Sequence, residues 1–143
     1  NMKVEVDIPG RFSVYNSLTA IAVCLHFTDD LSLIKDVLKD VQVKGRVEIV
    51  PVSDKFTIMI DYAHNAMSLE SLLSSLREYH PRRLVTVFGC GGNRSKARRF
   101  EMGEVHPACR FSIITSDNPR FEKPGEIIND ILTGVQKADG AIG

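Results

Sequence analysis

The chain has 143 residues, of which 43% are hydrophobic and 25% are charged, a composition typical of one globular domain with at most an appended element. Its 18 lysines and arginines balance its 18 aspartates and glutamates, so bulk electrostatics give no support to a nonspecific nucleic-acid or membrane-surface role. No apolar run reaches the ~18 residues of a membrane span, and the three widely spaced cysteines predict reduced thiols in a cytoplasm, without a disulfide framework or a zinc site.

The first 44 residues have a helical pattern. After Pro9-Gly10, apolar residues recur at helical spacing from Val14 to Leu25, and a second such pattern runs from Leu31 to Val41. Thr28-Asp29-Asp30 lies between them and predicts a turn that also caps the second helix. We therefore expect a helical pair here.

From Gly45 onward, strand patterns alternate with helical patterns. Four apolar segments indicate buried strands: Val47 to Val52, Phe56 to Ile60, Leu84 to Phe88 and Phe111 to Thr115. Three helices are predicted: one from Ala66, one from Lys96 to Val105, and one that Pro124 opens and that ends near Gly134. With the first two strands joined as a hairpin, this order predicts an α/β fold in which helices flank a mostly parallel sheet. About four strands are fewer than such a sheet usually has, so we expect an incomplete domain.

Polar loops follow three of the predicted strands. They are Asp61-Tyr62-Ala63-His64, Gly89-Cys90-Gly91-Gly92-Asn93-Arg94 and Asp117-Asn118-Pro119-Arg120. Because the loops after parallel strands build the binding crevice of an α/β sheet, we expect one composite site for an anionic ligand.

The glycines of the second loop let the backbone approach a ligand closely, and basic residues follow at once: Arg94, Lys96, Arg98 and Arg99. This pattern favours an anion cradle, and a basic, solvated first helical turn is the alternative. The loop is not a dinucleotide fingerprint, because Arg94 stands where the third glycine belongs. The chain also contains no GxxxxGK[ST] phosphate-binding loop.

The third loop suggests carboxylate recognition. Pro119 restricts Asn118 to an extended or turn conformation, which favours polar side chains that project together. Arg120 then offers a planar pair of donors that matches a carboxylate. A solvent-facing arginine in a proline turn is the alternative interpretation.

The first loop has two interpretations as well. Asp61 is placed to accept from ribose hydroxyls, or else to cap the helix from Ala66. A nucleophilic pair of Cys90 and His64 would lack a third orienting group, so we assign no catalytic residue. The other histidines lack metal-ligand spacing, and we assign no metal ligand.

Five motifs in this order resemble a known family. The segments Gly10 to Asn16 and Gly45 to Glu48, with the three loops, resemble the carboxyl-terminal part of the Mur ligases, and among them the UDP-N-acetylmuramoyl-tripeptide synthetases. The resemblance runs from about Pro9 to Gly140. It implies that residues 1–44 are the helical end of a central ATP-binding domain and that residues 45–143 are a truncated, Rossmann-like carboxyl-terminal domain. The amino-terminal domain, the rest of the central domain and a downstream Gly-His-Glu motif would then be missing.

The resemblance also implies a function, in the bacterial cytoplasm. In the full enzyme, ATP with Mg²⁺ activates a carboxylate as an acyl phosphate. The amine of meso-diaminopimelate then forms an amide with UDP-N-acetylmuramoyl-L-alanyl-D-glutamate in peptidoglycan synthesis. No cofactor is assigned to this chain alone, and we expect the chain alone to be inactive.

The resemblance assigns residues to two ligands. Those toward ATP are Asn16, Arg46, Asp61 and His64. Those that receive the incoming amino acid are Arg94, Asp117, Asn118, Pro119 and Arg120. The Asn-Pro-Arg form is typical of members that take meso-diaminopimelate and not L-lysine.

Two other classes of function stay open. One is a different ligase of the same superfamily, of the L-lysine-adding, folylpolyglutamate or cyanophycin type. The other is a non-catalytic module that only holds a small anion. Neither a nucleic acid nor a membrane is expected as a partner.

Overall fold

The structure, a computed structural model, describes residues 3–140. The chain divides into two compact units, one through Tyr62 and one from Ala63 onward, and each is described by itself. The predicted domain boundary at residue 45 is a different division and stays a prediction. Among the helices of the described residues, none is both long enough and apolar enough to cross a membrane.

The first unit begins with the predicted helical pair, which is confirmed. Helix α1 spans Arg11–Cys24 and helix α2 spans Leu31–Asp40. The predicted cap of α2 is also confirmed, because the Asp30 carboxylate accepts a hydrogen bond from the backbone N–H of Leu33 at 3.0 Å.

An antiparallel hairpin completes the first unit. Strand β1 (Glu48–Val50) pairs with strand β2 (Ile58–Ile60), with Glu48 opposite Ile60. The hairpin was predicted, but both strands are shorter than expected. Val47 has a φ of 49°, which lies outside the β region, and Pro51 has no N–H to donate to a ladder.

The second unit alternates helices and strands. Its elements are α3 (Ala66–Arg77), β3 (Val85–Phe88), α4 (Ala97–Glu104), a 3₁₀ turn (His106–Ala108), β4 (Phe111–Ile114) and α5 (Pro124–Gly140). Strands β3 and β4 are parallel, with Val85 opposite Phe111 and Phe88 opposite Ile114. The predicted mixture of helices and sheet is therefore confirmed, with one parallel and one antiparallel pair.

The core of the second unit lies on one face of the parallel pair. Helical side chains form most of it: Leu69, Leu73, Met102, Ile127 and Ile131, together with Cys90 and Cys109. The opposite face carries Val85, Val87, Phe111 and Ile113, which are 43–63% exposed. The expectation of fully buried strands is thus wrong for this face, because alternate strand residues point to opposite sides and the core packs against one of them.

Helix α5 continues to Gly140, beyond the predicted end near Gly134. A Cβ atom on Gly134 would lie 2.0 Å from the carbonyl oxygen of Phe100, and one on Gly103 would lie 2.1 Å from that of Ile131. These glycines let α4 and α5 approach closely. Gly134 therefore marks a helix contact and not a helix end.

Candidate functional site

The second and third predicted loops meet at the carboxyl ends of β3 and β4. Because the two strands are parallel neighbours, both chains leave the sheet at the same edge. The N–H of Gly92 donates to the carbonyl of Asn118 at 2.8 Å. The N–H of Phe121 donates to Oδ1 of Asn93 at 3.3 Å. These bonds hold the two loops together as one surface.

Gly89 and Gly92 of the second loop make room for the backbone that follows β4, whereas close approach to a ligand was expected. A Cβ on Gly89 would lie 2.3 Å from the carbonyl oxygen of Thr115, and one on Gly92 would lie 1.9 Å from that of Pro119. Neither glycine has a positive φ; the left-handed residue of this loop is Asn93, with a φ of 52°. The glycines serve close backbone approach.

The third loop forms a tight turn. Oδ1 of Asn118 accepts from the backbone N–H of Arg120 at 3.2 Å, and the carbonyl of Pro119 accepts from the N–H of Glu122 at 3.0 Å. This Asx turn holds Arg120 at a φ of 52°. Asp117, Asn118 and Arg120 are exposed, and Pro119 is half-buried.

Two guanidiniums lie beside the junction of the loops. Arg94 follows Asn93 and Arg120 precedes Phe121, the two residues whose hydrogen bond joins the loops. Both arginines are exposed. Within residues 3–140, neither side chain has a hydrogen bond or an ion pair, so both are available to an anionic ligand.

Arg99 is the residue that sequence analysis placed wrongly. It was expected in a basic cradle or a solvated helical turn, yet its side chain is 1% exposed. It donates to Glu122 Oε1 at 2.7 Å and to Asp130 Oδ2 at 2.9 Å. Its charge is therefore neutralised inside the protein, and it is not part of an anion cradle.

Glu122 and Asp130 are functional supports that sequence analysis missed. Glu122 also accepts from the backbone N–H of Asn93, so it ties the second loop to the third. Hydrogen bonds from Arg99, and then from Asn93, lower the pKa of Glu122. The same carboxylates, Glu122 first, raise the pKa of Arg99. The signal in the sequence was the spacing of Arg99 with Met102 and Gly103, which share one helix face.

Cys90 is buried at the start of the second loop. Burial raises the pKa of its thiol, which keeps the sulfur protonated and a poor nucleophile. His64, the other residue considered for a nucleophilic pair, is exposed at the start of the second unit.

The residues expected toward ATP lie in both units. In the first, the guanidinium of Arg46 stacks on the ring of Tyr62, 4.6 Å from its centroid, and Oδ2 of Asp61 accepts from the N–H of Val47 at 2.9 Å. Arg46 and Asp61 therefore lie at one end of the β1–β2 hairpin. Asn16 lies on an exposed part of α1, and no hydrogen bond between described residues joins it to either of them.

The alternative of Asp61 as a helix cap is wrong. The cap of α3 is Asn65, whose side chain accepts from the N–H of Ser68 at 2.9 Å. Asp61 instead binds the backbone of Val47. That Asp61 accepts from ribose hydroxyls stays a prediction.

The described residues contain no group of three or more histidine, cysteine, aspartate or glutamate side chains that could hold a metal ion. Chemically, the joined loops offer two exposed guanidiniums for carboxylates and one exposed carboxylate, Asp117, for an ammonium group. Such a set fits a zwitterionic ligand.

Known proteins are similar to this chain over most of its length. The family described as "Mur ligase, glutamate ligase domain" matches residues 45–141. UDP-N-acetylmuramoyl-L-alanyl-D-glutamate--2,6-diaminopimelate ligase 1 of Clostridium acetobutylicum is 43% identical over 137 residues, which cover 93% of this chain and 28% of that protein. The corresponding ligase of Aquifex aeolicus is 45% identical over 141 residues, 96% of this chain and 29% of that protein.

A solved structure is similar as well. It is that of a UDP-N-acetylmuramoyl-L-alanyl-D-glutamate--2,6-diaminopimelate ligase, with a TM-score of 0.61, 32% identity, and coverage of 92% of this chain and 27% of that one. The chain thus spans less than a third of the length of these relatives. Since the family match covers residues 45–141, well over half of the sequence, the chain belongs to the Mur ligase family.

Proposed function

We propose that this chain is the part of an ATP-dependent ligase that receives the incoming amino acid. The whole protein adds meso-diaminopimelate to UDP-N-acetylmuramoyl-L-alanyl-D-glutamate in peptidoglycan synthesis, in the bacterial cytoplasm. The names of the relatives support the reaction, since each is a 2,6-diaminopimelate ligase. Residues 1–44 belong, on this proposal, to the central domain, which agrees with a family match that begins at residue 45.

The observation that carries the proposal is the pair of exposed, unpaired guanidiniums at the joined loops, Arg94 and Arg120. Diaminopimelate has a carboxylate at each end, whereas L-lysine has one. Two guanidiniums therefore match the charge pattern of diaminopimelate. Asp117 supplies a carboxylate for one of its ammonium groups. The Asx turn of Asn118 and Pro119 orients Arg120 toward the distal carboxylate.

The nucleotide side of the proposal uses the four residues that the family resemblance assigns to ATP. Arg46 lies toward the phosphates of ATP, Asp61 toward its ribose, and Asn16 and His64 beside the nucleotide. The exposed guanidinium of Arg46 suits a phosphate oxygen. ATP supplies the phosphoryl group that activates the carboxyl substrate, and this chain positions the amine that attacks it. On this proposal Mg²⁺ acts with ATP in the full-length enzyme, and none of the described residues is proposed as its ligand.

The experiment is steady-state kinetics of the full-length ligase with diaminopimelate and with L-lysine. Arg120→Ala removes a charge-assisted pair worth about 1.5–3 kcal/mol, so kcat/KM for diaminopimelate should fall about ten- to hundredfold. Arg120→Lys should restore only part, because an ammonium cannot bind a carboxylate through two parallel bonds. The reaction with L-lysine should lose much less.

Lys123→Ala is the matched control. Lys123 lies in the same connection between β4 and α5, and Lys123→Ala removes one positive charge, as Arg120→Ala does. The Lys123 side chain is 85% exposed, and its Nζ lies 3.8 Å from Oε1 of Glu126. It should leave the ratio of the two kcat/KM values unchanged. Equal losses for diaminopimelate and L-lysine in Arg120→Ala would show that Arg120 supports the loop and does not read the substrate, and an L-lysine preference in the native enzyme would favour the L-lysine-adding alternative.

A further inference from the structure

A second group of arginines lies at the opposite end of the parallel sheet, where β3 and β4 begin. There an open depression of about 430 Å³ is lined by four arginines and one histidine: Arg77, Arg82, Arg83, Arg110 and His80. The proposed amino-acid site lies at the carboxyl ends of the same strands. The two groups of cations are therefore separate.

The fold brings these side chains together. The parallel register places Val85 opposite Phe111, so the residues just before the two strands are neighbours. The N–H of Arg110 donates to the carbonyl of Leu84 at 3.2 Å. After α3, the N–H of His80 donates to the carbonyl of Arg77 at 2.9 Å, and this turn directs the chain back toward β3.

The four guanidiniums are uncompensated. Within residues 3–140 none of them has a hydrogen bond or an ion pair, in contrast to Arg99, whose charge two carboxylates balance. The formal net charge of the whole chain is zero, so this positive charge is local. Like charges around one depression repel one another, and an anion with several charges would relieve that repulsion.

The surroundings limit the size of the ligand. A second depression adjoins the first and shares Arg77 and Ala108 with it, and its lining includes three carboxylates, those of Glu70, Glu101 and Glu104. An extended polyanion such as a nucleic acid would meet this acidic surface as it left the basic one. A compact anion would contact the arginines alone.

We propose that the depression lined by Arg77, Arg82, Arg83 and Arg110 binds a small, multiply charged phosphate compound. Phosphate chemistry fits better than a carboxylate, because a diphosphate brings about three negative charges and many acceptor oxygens to several planar donors. A carboxylate would compensate one arginine. The phosphate is either free in solution or part of a lipid headgroup, and the test separates the two.

The test is isothermal titration of the 143-residue chain with pyrophosphate at low ionic strength. The triple variant Arg82→Gln, Arg83→Gln, Arg110→Gln should bind about tenfold more weakly or worse, which is about 1.4 kcal/mol. The triple variant Lys35→Gln, Lys39→Gln, Lys55→Gln loses the same charge from α2 and from the β1–β2 connection, and it should bind as the native chain does. Circular dichroism checks that each variant is folded, and Arg82→Gln alone, with about a threefold loss expected, replaces the triple variant if that one is unfolded.

Two further experiments identify which arginines bind pyrophosphate and whether the natural ligand is a free phosphate or a lipid headgroup. If Arg94→Gln with Arg120→Gln, or Arg46→Gln, weakens pyrophosphate binding and the triple variant of Arg82, Arg83 and Arg110 does not, the proposal is wrong. Unchanged pyrophosphate binding by that triple variant would likewise overturn it. Co-sedimentation with phosphatidylglycerol vesicles that pyrophosphate displaces would support the site with a lipid headgroup as its ligand, and no co-sedimentation beside measured pyrophosphate binding would support a free phosphate. Absence of pyrophosphate binding by the native chain would overturn the proposal.

Discussion

The guanidinium of Arg99 lies inside the second unit and donates to carboxylates from two other segments, the turn before α5 and α5 itself. One of them, Glu122, also accepts from the backbone of the glycine-rich loop at Asn93. A single buried cation thus sets the distance between helix α4, both site loops and α5. Its removal would leave Glu122 and Asp130, whose side chains are 24% and 23% exposed, without their common cation.

Replacement of Glu122 by Gln gives a test based on pH. Because Arg99 and then Asn93 lower the pKa of Glu122 in the folded chain, folding favours the ionised carboxylate. Its contribution to stability is present above the usual pKa of 4.5 and is lost as the pH falls through the lowered folded value. The free energy of unfolding of the native chain should therefore fall more steeply below about pH 4.5 than that of Glu122→Gln.

Urea denaturation between pH 7 and pH 3 measures both slopes. Glu126→Gln is the control, because Glu126 is 64% exposed and its ion pair with Lys123 is 3.8 Å long. It should keep the native slope. Parallel curves for the native chain and Glu122→Gln would mean that the Arg99–Glu122 pair does not couple protonation to folding.

Single residues were the hardest to predict. Arg94 and Arg99 follow the same glycine loop and differ little in local composition, yet one is exposed and the other is buried. Arg94 lies in the loop before α4, whereas Arg99 lies within α4 on the face that meets α5. The loop patterns suggested that Arg94 and Arg120 bind an anion, the family resemblance assigned both to the amino acid, and the structure adds that their loops touch.

Helices α4 and α5 cross at a pair of glycines, Gly103 and Gly134. Each stands where a Cβ would lie about 2 Å from a backbone oxygen of the other helix. Backbone atoms cannot move aside as a flexible side chain can. The contact therefore requires glycine on both helices.

Gly134→Ala should push the two helices apart and destabilise the chain by about 1–3 kcal/mol. Gly125→Ala is the matched control in the same helix: its Cβ would meet no atom within 4 Å. Alanine there should be neutral or stabilise by up to about 1 kcal/mol. Urea denaturation measures the free energy of unfolding of both variants. Equal values for the two would show that the crossing of α4 and α5 tolerates a methyl group.

At the level of elements the sequence was informative. The spacing of apolar residues predicted five helices and four strands at the right places, because periods of 3.6 and 2 residues reflect which side chains face a core. The end of α5 was wrong because a glycine in a helix has two meanings, a terminus or a close contact. Neighbours in space decide between them, and they are not visible in the order of residues.

For the whole molecule, the five motifs in their order along the chain were sufficient to identify the family. The division of the chain by contacts after Tyr62 was not predicted. The division reflects contacts between residues in space, whereas the motifs indicate only membership of a family.

The chain alone is expected neither to hydrolyse ATP nor to form an amide, because it contains no glycine-rich phosphate loop with its lysine. A coupled ATPase assay of the purified chain, beside the full-length ligase as a positive control, measures this. Turnover above the buffer blank that Arg46→Ala abolishes would instead place the ATP chemistry within these residues.

The apolar outer face of the β3–β4 sheet has a consequence for handling this chain in solution. Val85, Val87, Phe111 and Ile113 form a continuous hydrophobic strip, and a parallel sheet normally has both faces covered. A two-stranded sheet also leaves backbone donors and acceptors along its outer edges. Concentrated samples should therefore associate face to face and edge to edge, so light scattering should rise with concentration while each molecule keeps its native helical content.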